Sequence, residues 1–135
     1  MVQISDIFSR QILDSRGNPT LEVDVTLSDG SLGRAAVPSG ASTGEYEAFE
    51  LRDGDDKNFN GLSVQNAVNN INTEICNTFS GYNPYNQKII DNDLIELDNS
   101  ENKSRLGANA MLGFSMAVSR ASSVSLDLPL WKYIG

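Results

Sequence analysis

A chain of 135 residues, 39% of them hydrophobic, can bury the core of one domain but not of two. Its 18 acidic and 10 basic residues give a net charge of −8, and with no Lys/Arg block to neutralise phosphates this argues against nucleic acid and anionic membrane. Histidine is absent and Cys76 is the single cysteine, so Ser-His-Asp triads, histidine-ligated metals, an internal disulfide and a thiolate zinc cluster are excluded, and a reducing compartment fits.

From Val2 to Leu13 the apolar residues Val2, Ile4, Phe8, Ile12 and Leu13 alternate imperfectly with polar ones, until the turn formers Asp14-Ser15-Arg16-Gly17-Asn18-Pro19 end the strand. Leu21, Val23, Val25 and Leu27 then alternate cleanly with Glu22, Asp24 and Thr26. Ser28-Asp29-Gly30 supplies a hairpin signal before Leu32 to Val37. This predicts a three-stranded antiparallel meander, one face on a core and the other carrying Glu22, Asp24 and Thr26 to water or a partner.

After Gly61 the period becomes helical. Val64, Ala67, Val68, Ile71, Ile75 and Phe79 recur at three- and four-residue intervals, predicting an amphipathic helix that ends near Ser80-Gly81. Ile89, Ile90, Leu94, Ile95 and Leu97 suggest a shorter second helix. A third spans about Ala108 to Val124, where the small-residue stripe Ala110, Gly113, Ala117 and Ala121 predicts burial with a close backbone approach. Pro129 opens a last short helix. Strands followed by helices predict an α+β domain: the meander, then about four helices packed on one face of the sheet.

Most other candidate chemistry dissolves. The acidic stretch Asp91, Asp93, Glu96 and Asp98 lacks the glycine and terminal glutamate of a calcium loop and reads as a solvated helix face. Asp53-Gly54-Asp55-Asp56-Lys57 puts a lysine at a ligand position and reads as a charged turn. Cys76 reads as a small apolar residue on a helix. No basic segment followed by an apolar one opens the chain, and no stretch nears about 18 consecutive apolar residues, so neither secretion nor a membrane span is expected. The sequon Asn102-Lys103-Ser104 is then incidental.

The run Pro38 to Gly54, PSGASTGEYEAFELRDG, holds more chemistry. Gly40 and Gly44 open backbone conformations closed to other residues, and Ser39, Ser42 and Thr43 bring hydroxyl oxygens that can donate, accept or ligate a hard cation. Composition alone favours a flexible Gly/Ser surface loop. The run resembles the mobile loop of the enolases. The likeness continues through DSRGNPTLEV (Asp14 to Val23), AAVPSGASTG (Ala35 to Gly44), LRDGD (Leu51 to Asp55), ENKSRLGANA (Glu101 to Ala110) and PLWKYIG (Pro129 to Gly135), in order and at matching spacing.

The resemblance implies an enolase amino-terminal (capping) domain over 1–135, with the barrel domain, roughly twice this size, absent from the chain. It implies a cytoplasmic lyase of glycolysis, phosphopyruvate hydratase, that dehydrates 2-phosphoglycerate to phosphoenolpyruvate with two magnesium ions and works as a homodimer. Ser42 matches the serine that gives an oxygen to the second magnesium as the loop closes, and Gly40 and Ala41 match backbone neighbours of the substrate. The lysine base, glutamate acid, three metal-binding carboxylates and a histidine near the phosphate would all lie in the barrel, so no catalytic residue is assigned within this chain and the isolated chain is expected to be inactive. Arg10 and Glu22 match positions that pair with the partner's barrel in related dimers, and otherwise read as strand charges. Arg16 is expected to brace the barrel interface or to order its turn.

Gly61-Leu62-Ser63 stands where many relatives read G-K-G, and Tyr46 occupies a variable position. Asn99 replaces a common glycine, and since Asn tolerates left-handed geometry next best, the turn there should survive. Two readings stay open: an enzyme portion whose loop completes a site built elsewhere, and a free-standing, non-catalytic binding module that keeps the fold.

Overall fold

Period-two alternation obliges the chain from Pro19 onward to turn one face inward and the other outward. The computed structural model describes residues 1–38, 51–53, 63–99 and 105–134 and makes Pro19–Leu27 the central strand, β2, of a three-stranded sheet. Antiparallel neighbours β1 (Ile4–Leu13) and β3 (Leu32–Ala36) flank it. A register shift between Ile4 and Asp6 accounts for the imperfect alternation of β1, because a bulge moves the following side chains to the other face. Asp14 orders the first turn: its Oδ1 accepts from the N–H groups of Arg16 and Asn18, each at 2.9 Å.

Helical structure resumes at Gln65, where Asp53 accepts from the N–H groups of Gln65 at 3.1 Å and Asn66 at 2.8 Å and so satisfies first-turn donors from a distant loop. Helix α1 (Gln65–Asn70) passes through a π-helical turn (Ile71–Ile75) into α2 (Cys76–Phe79), with helical backbone at both junctions. The continuous helix was expected; the π turn was not. Next come α3 (Gln87–Asp98), α4 (Ala108–Ser125) and α5 (Leu130–Ile134), the last directly after Pro129. Asn99 ends α3 in the left-handed region at φ 51°, as its replacement of glycine foretold.

The small-residue stripe of α4 presses on the sheet. A Cβ on Gly113 would stand 2.8 Å from Leu21 and 2.9 Å from Val23, and one on Gly33 would stand 2.2 Å from the Ala117 carbonyl oxygen of α4. Helix and strand backbones meet closer than any side chain would permit. Around that contact Leu21, Val23, Val25, Ile71, Ile75, Phe79, Ile90 and Phe114 are buried, with the rings of Phe79 and Phe114 5.0 Å apart. Each fully buried side chain of this size contributes roughly 1.5–3 kcal/mol before entropy is counted. At the far end, Ser125 donates to Asp29 at 2.5 Å and shares a hydrogen with Tyr85 at 2.6 Å, tying the β2–β3 hairpin to the last turn of α4.

The acidic stretch on α3 departs from its expected solvation. Asp98 is 1% exposed and accepts from the Leu106 N–H at 2.7 Å. Asp91 accepts from Ser115 at 2.7 Å and Asp93 from the Tyr82 hydroxyl at 2.8 Å, which raises the tyrosine's pKa. Of the four, Glu96 is the one that is exposed. Partners from α4 and the neighbouring turns draw the other three inward. Cys76 is half-buried against the core, its Sγ 3.9 Å from the Ser80 hydroxyl.

Candidate functional site at the loop base and outer sheet face

Gly40, Ala41 and Ser42 lie outside the described residues, so the site is visible through the chain that enters and leaves their segment. Entry is fixed at the start of β2. The buried Thr20 hydroxyl donates to the Val37 carbonyl at 2.6 Å, and the Val37 N–H donates to Leu21 at 3.0 Å. Exit is fixed nearby, since the Arg52 guanidinium donates to the Pro19 carbonyl at 2.6 Å. Asn109, near the start of α4, then clasps Leu51 from both sides, accepting from its N–H and donating to its carbonyl, each at 3.1 Å. Asp53 and the buried Ser63 join by a backbone bond of 2.8 Å, and Gln11 of β1 accepts from the Ser63 hydroxyl and the Val64 N–H. Val37 and Arg52, on either side of that segment, therefore both meet the sheet at its Pro19–Thr20 end. Thr20, Gln11, Arg52 and Asn109 escaped the sequence reading because each bonds a residue far along the chain, and no local pattern encodes such pairs.

The outer face of the sheet carries the predicted charges. Arg10 and Glu22 stand opposite each other and pair at 2.7 Å. Arg10 also reaches Asp24 at 3.0 Å, and Arg34 from β3 binds Asp24 through Nε at 2.7 Å and Nη2 at 3.1 Å. An Arg–Glu–Asp–Arg ladder thus crosses all three strands, extended by Phe8, whose ring lies 5.8 Å from the Arg10 guanidinium. The Arg34 hydrogen bond lowers the Asp24 pKa, assisted by Arg10 and opposed by burial. Arg34 is in turn raised by Asp24. Arg10 and Glu22 are brought together, while Asp24 and Arg34 are the members that sequence alone left unpaired, because only the register sets them face to face. Arg16 is exposed in the Asp14 turn and makes no ion pair among the described residues; its backbone N–H, rather than its guanidinium, orders the turn.

Among the described residues no group of three or more His, Cys, Asp or Glu could hold a metal ion, and no helix is long and apolar enough to cross a membrane. A family model described as the enolase N-terminal domain matches residues 4–134. The chain belongs to the enolase family. It is 59% identical over 134 residues to Enolase 2 of Lactococcus lactis subsp. lactis (strain IL1403), a match that covers 99% of this chain and 32% of that protein. This enolase domain therefore spans about a third of the length of the curated relative it matches. The α+β meander and its following helices agree with that membership.

Proposed function

We propose that the chain is the amino-terminal portion of a cytoplasmic, homodimeric enolase that dehydrates 2-phosphoglycerate to phosphoenolpyruvate, and that it contributes a substrate loop rather than the catalytic base or acid. The supporting observation is the A-S-T-G run of Ala41 to Gly44 in a chain of the enolase family, with the described residues on either side of it anchored to the sheet and to the start of α4. Gly40 and Ala41 would present backbone to the substrate, and the Ser42 hydroxyl would give one oxygen to one magnesium ion. When bound, magnesium offsets the negative charge that develops on the substrate carboxylate as the neighbouring proton leaves. One hydroxyl is not a cage, and the remaining ligands, with the lysine, glutamate and histidine that the enolase resemblance implies, would come from a barrel domain of the complete enzyme. Thr20, Arg52 and Asn109 act by fixing where the loop begins and ends. Arg10, Glu22 and, by its exposure, Arg16 face the partner subunit or the barrel.

The test is Ser42→Ala in the complete enzyme, followed by phosphoenolpyruvate absorbance. Turnover should fall by about 100-fold or more, the scale of removing one preorganised oxygen from developing charge. Melting of the 135-residue chain should move by less than about 0.5 kcal/mol for the same change. Unchanged turnover would remove Ser42 from the site. Turnover by the purified 135-residue chain itself would show that a base lies within it.

A further inference from the structure

Helices α3 and α4 face each other along stripes that do not close. On α3 Asp91, Leu94 and Ile95 share one face at spacings of three and four, and on α4 Ala108, Met111, Leu112 and Ser115 do the same. Between the stripes runs a groove of about 330 Å³, a size within the range of small-molecule sites. The buried Leu94 and Met111 form its floor, and Ile95 and Leu112, each about half exposed, form its rims. Ala108 and Ser115 are the small members of the α4 stripe and leave the space unfilled. One end of the groove is polar, and its donors are already engaged. Gln87 Nε2 donates to Asp91 Oδ1 at 3.0 Å and to the hydroxyl and carbonyl of Ser115 at 3.0 and 3.3 Å, and the Ser115 hydroxyl donates to the same Asp91 Oδ1 at 2.7 Å. These bonds pin the carboxylate and leave acceptors for a ligand. Asp91 Oδ2 has no partner among the described residues and keeps contact with solvent. Arg120, which lines the adjoining cavity with Asp91, gives its Nη1 to the Arg34 carbonyl at 2.9 Å and makes no ion pair with Asp91.

We propose that this groove binds a small amphiphilic cation, an ammonium group on a compact apolar body such as an aryl-ethyl unit. The apolar body would lie on Leu94 and Met111 between Ile95 and Leu112, and the ammonium would donate to Asp91 Oδ2. An anion would meet a carboxylate whose neighbouring donors are all engaged, and a neutral apolar molecule would leave that carboxylate unanswered. The net charge of −8 also favours the approach of a cation. Such a site owes nothing to the substrate loop and stands whether or not Ser42 binds magnesium.

NMR titration of the 135-residue chain with phenethylammonium and with 3-phenylpropionate, the same aryl-ethyl body carrying a carboxylate, tests this. Phenethylammonium should give saturable shifts at Ile95 and Leu112 with a dissociation constant on the order of 1–10 mM, and 3-phenylpropionate should bind about tenfold more weakly. Asp91→Asn keeps the acceptor that Gln87 and Ser115 use, and should bring the two ligands to within about twofold while the Leu21 and Val25 amides keep their protection from exchange. Ala108→Leu fills the groove and should abolish the shifts from both ligands. Absence of saturation, equal binding of the two ligands to the unsubstituted chain, or a cation preference that survives Asp91→Asn would overturn the proposal. Should Asp91→Asn fail to fold, shown by lost Leu21 protection, Ala108→Leu decides: cation binding that persists with the groove filled sinks the proposal, and its loss upholds it.

Discussion

The two faces of β2 carry side chains two residues apart in sequence and do opposite work. On the inner face Leu21, Val23 and Val25 are 0% exposed and meet α4 so closely that glycine is required on both sides of the contact. On the outer face Glu22 and Asp24 remain partly exposed and are held by arginines from both neighbouring strands. The inner face derives stability from shape, where one methyl group matters. The outer face gains little from its ion pairs, since pairs open to solvent are worth at most about 1 kcal/mol.

Substitution on each side can break that contrast. Gly33→Ala should cost the most, about 3 kcal/mol in urea unfolding, because the added Cβ would collide with the α4 backbone, which cannot rotate away as a side chain could. A loss below 1 kcal/mol would mean that α4 is free to retreat and that the inner face is not shape-limited. Thr20→Val should cost about 1 kcal/mol by leaving the Val37 carbonyl without its 2.6 Å donor, and exchange of the Val37 amide should quicken at the same time. That outcome would place the loop root on the shape-sensitive side of the comparison.

Asp24→Asn should be felt least near neutrality and should show itself through pH. Asp24 has a folded pKa below its ordinary 3.8, so the stability it lends is fully present above that value and is lost as pH falls through the lowered one. The unsubstituted chain should therefore lose stability below about pH 4 more steeply than Asp24→Asn does. Parallel acid-unfolding curves would mean that the ladder adds nothing to folding.

Local periodicity made most of this fold readable in advance. The clean alternation from Leu21 to Leu27 is β2, the stripe Ala110, Gly113, Ala117 and Ala121 is the face α4 lays on the sheet, and Asn99 is left-handed where a glycine substitute should be. Features requiring a partner remote in sequence were not readable. Asp98 resembles its acidic neighbours until Leu106 offers an N–H, and Asn72 resembles any helical asparagine until Ser9 arrives from 63 residues away. The π turn has no spacing signature of its own, since it leaves the three- and four-residue apolar pattern intact. At the candidate site Gly40, Ala41 and Ser42 lie outside the described residues, and the anchors beside them were not legible, because Thr20, Arg52 and Asn109 bond backbone atoms whose positions only the assembled fold determines.

The chain of hydroxyls from Asp29 through Ser125 to Tyr85 bears on the order in which the domain comes apart. α5, which buries no residue, has little to hold it and should open at low cost. Fraying that starts there would ordinarily run backward into α4, the longest helix. Ser125 interrupts that route, because releasing the last turn of α4 also requires parting from the β2–β3 hairpin and from the turn before α3. The boundary between the first unit to open and the last should fall at Ser125, so that α4 is lost together with the sheet in one cooperative step.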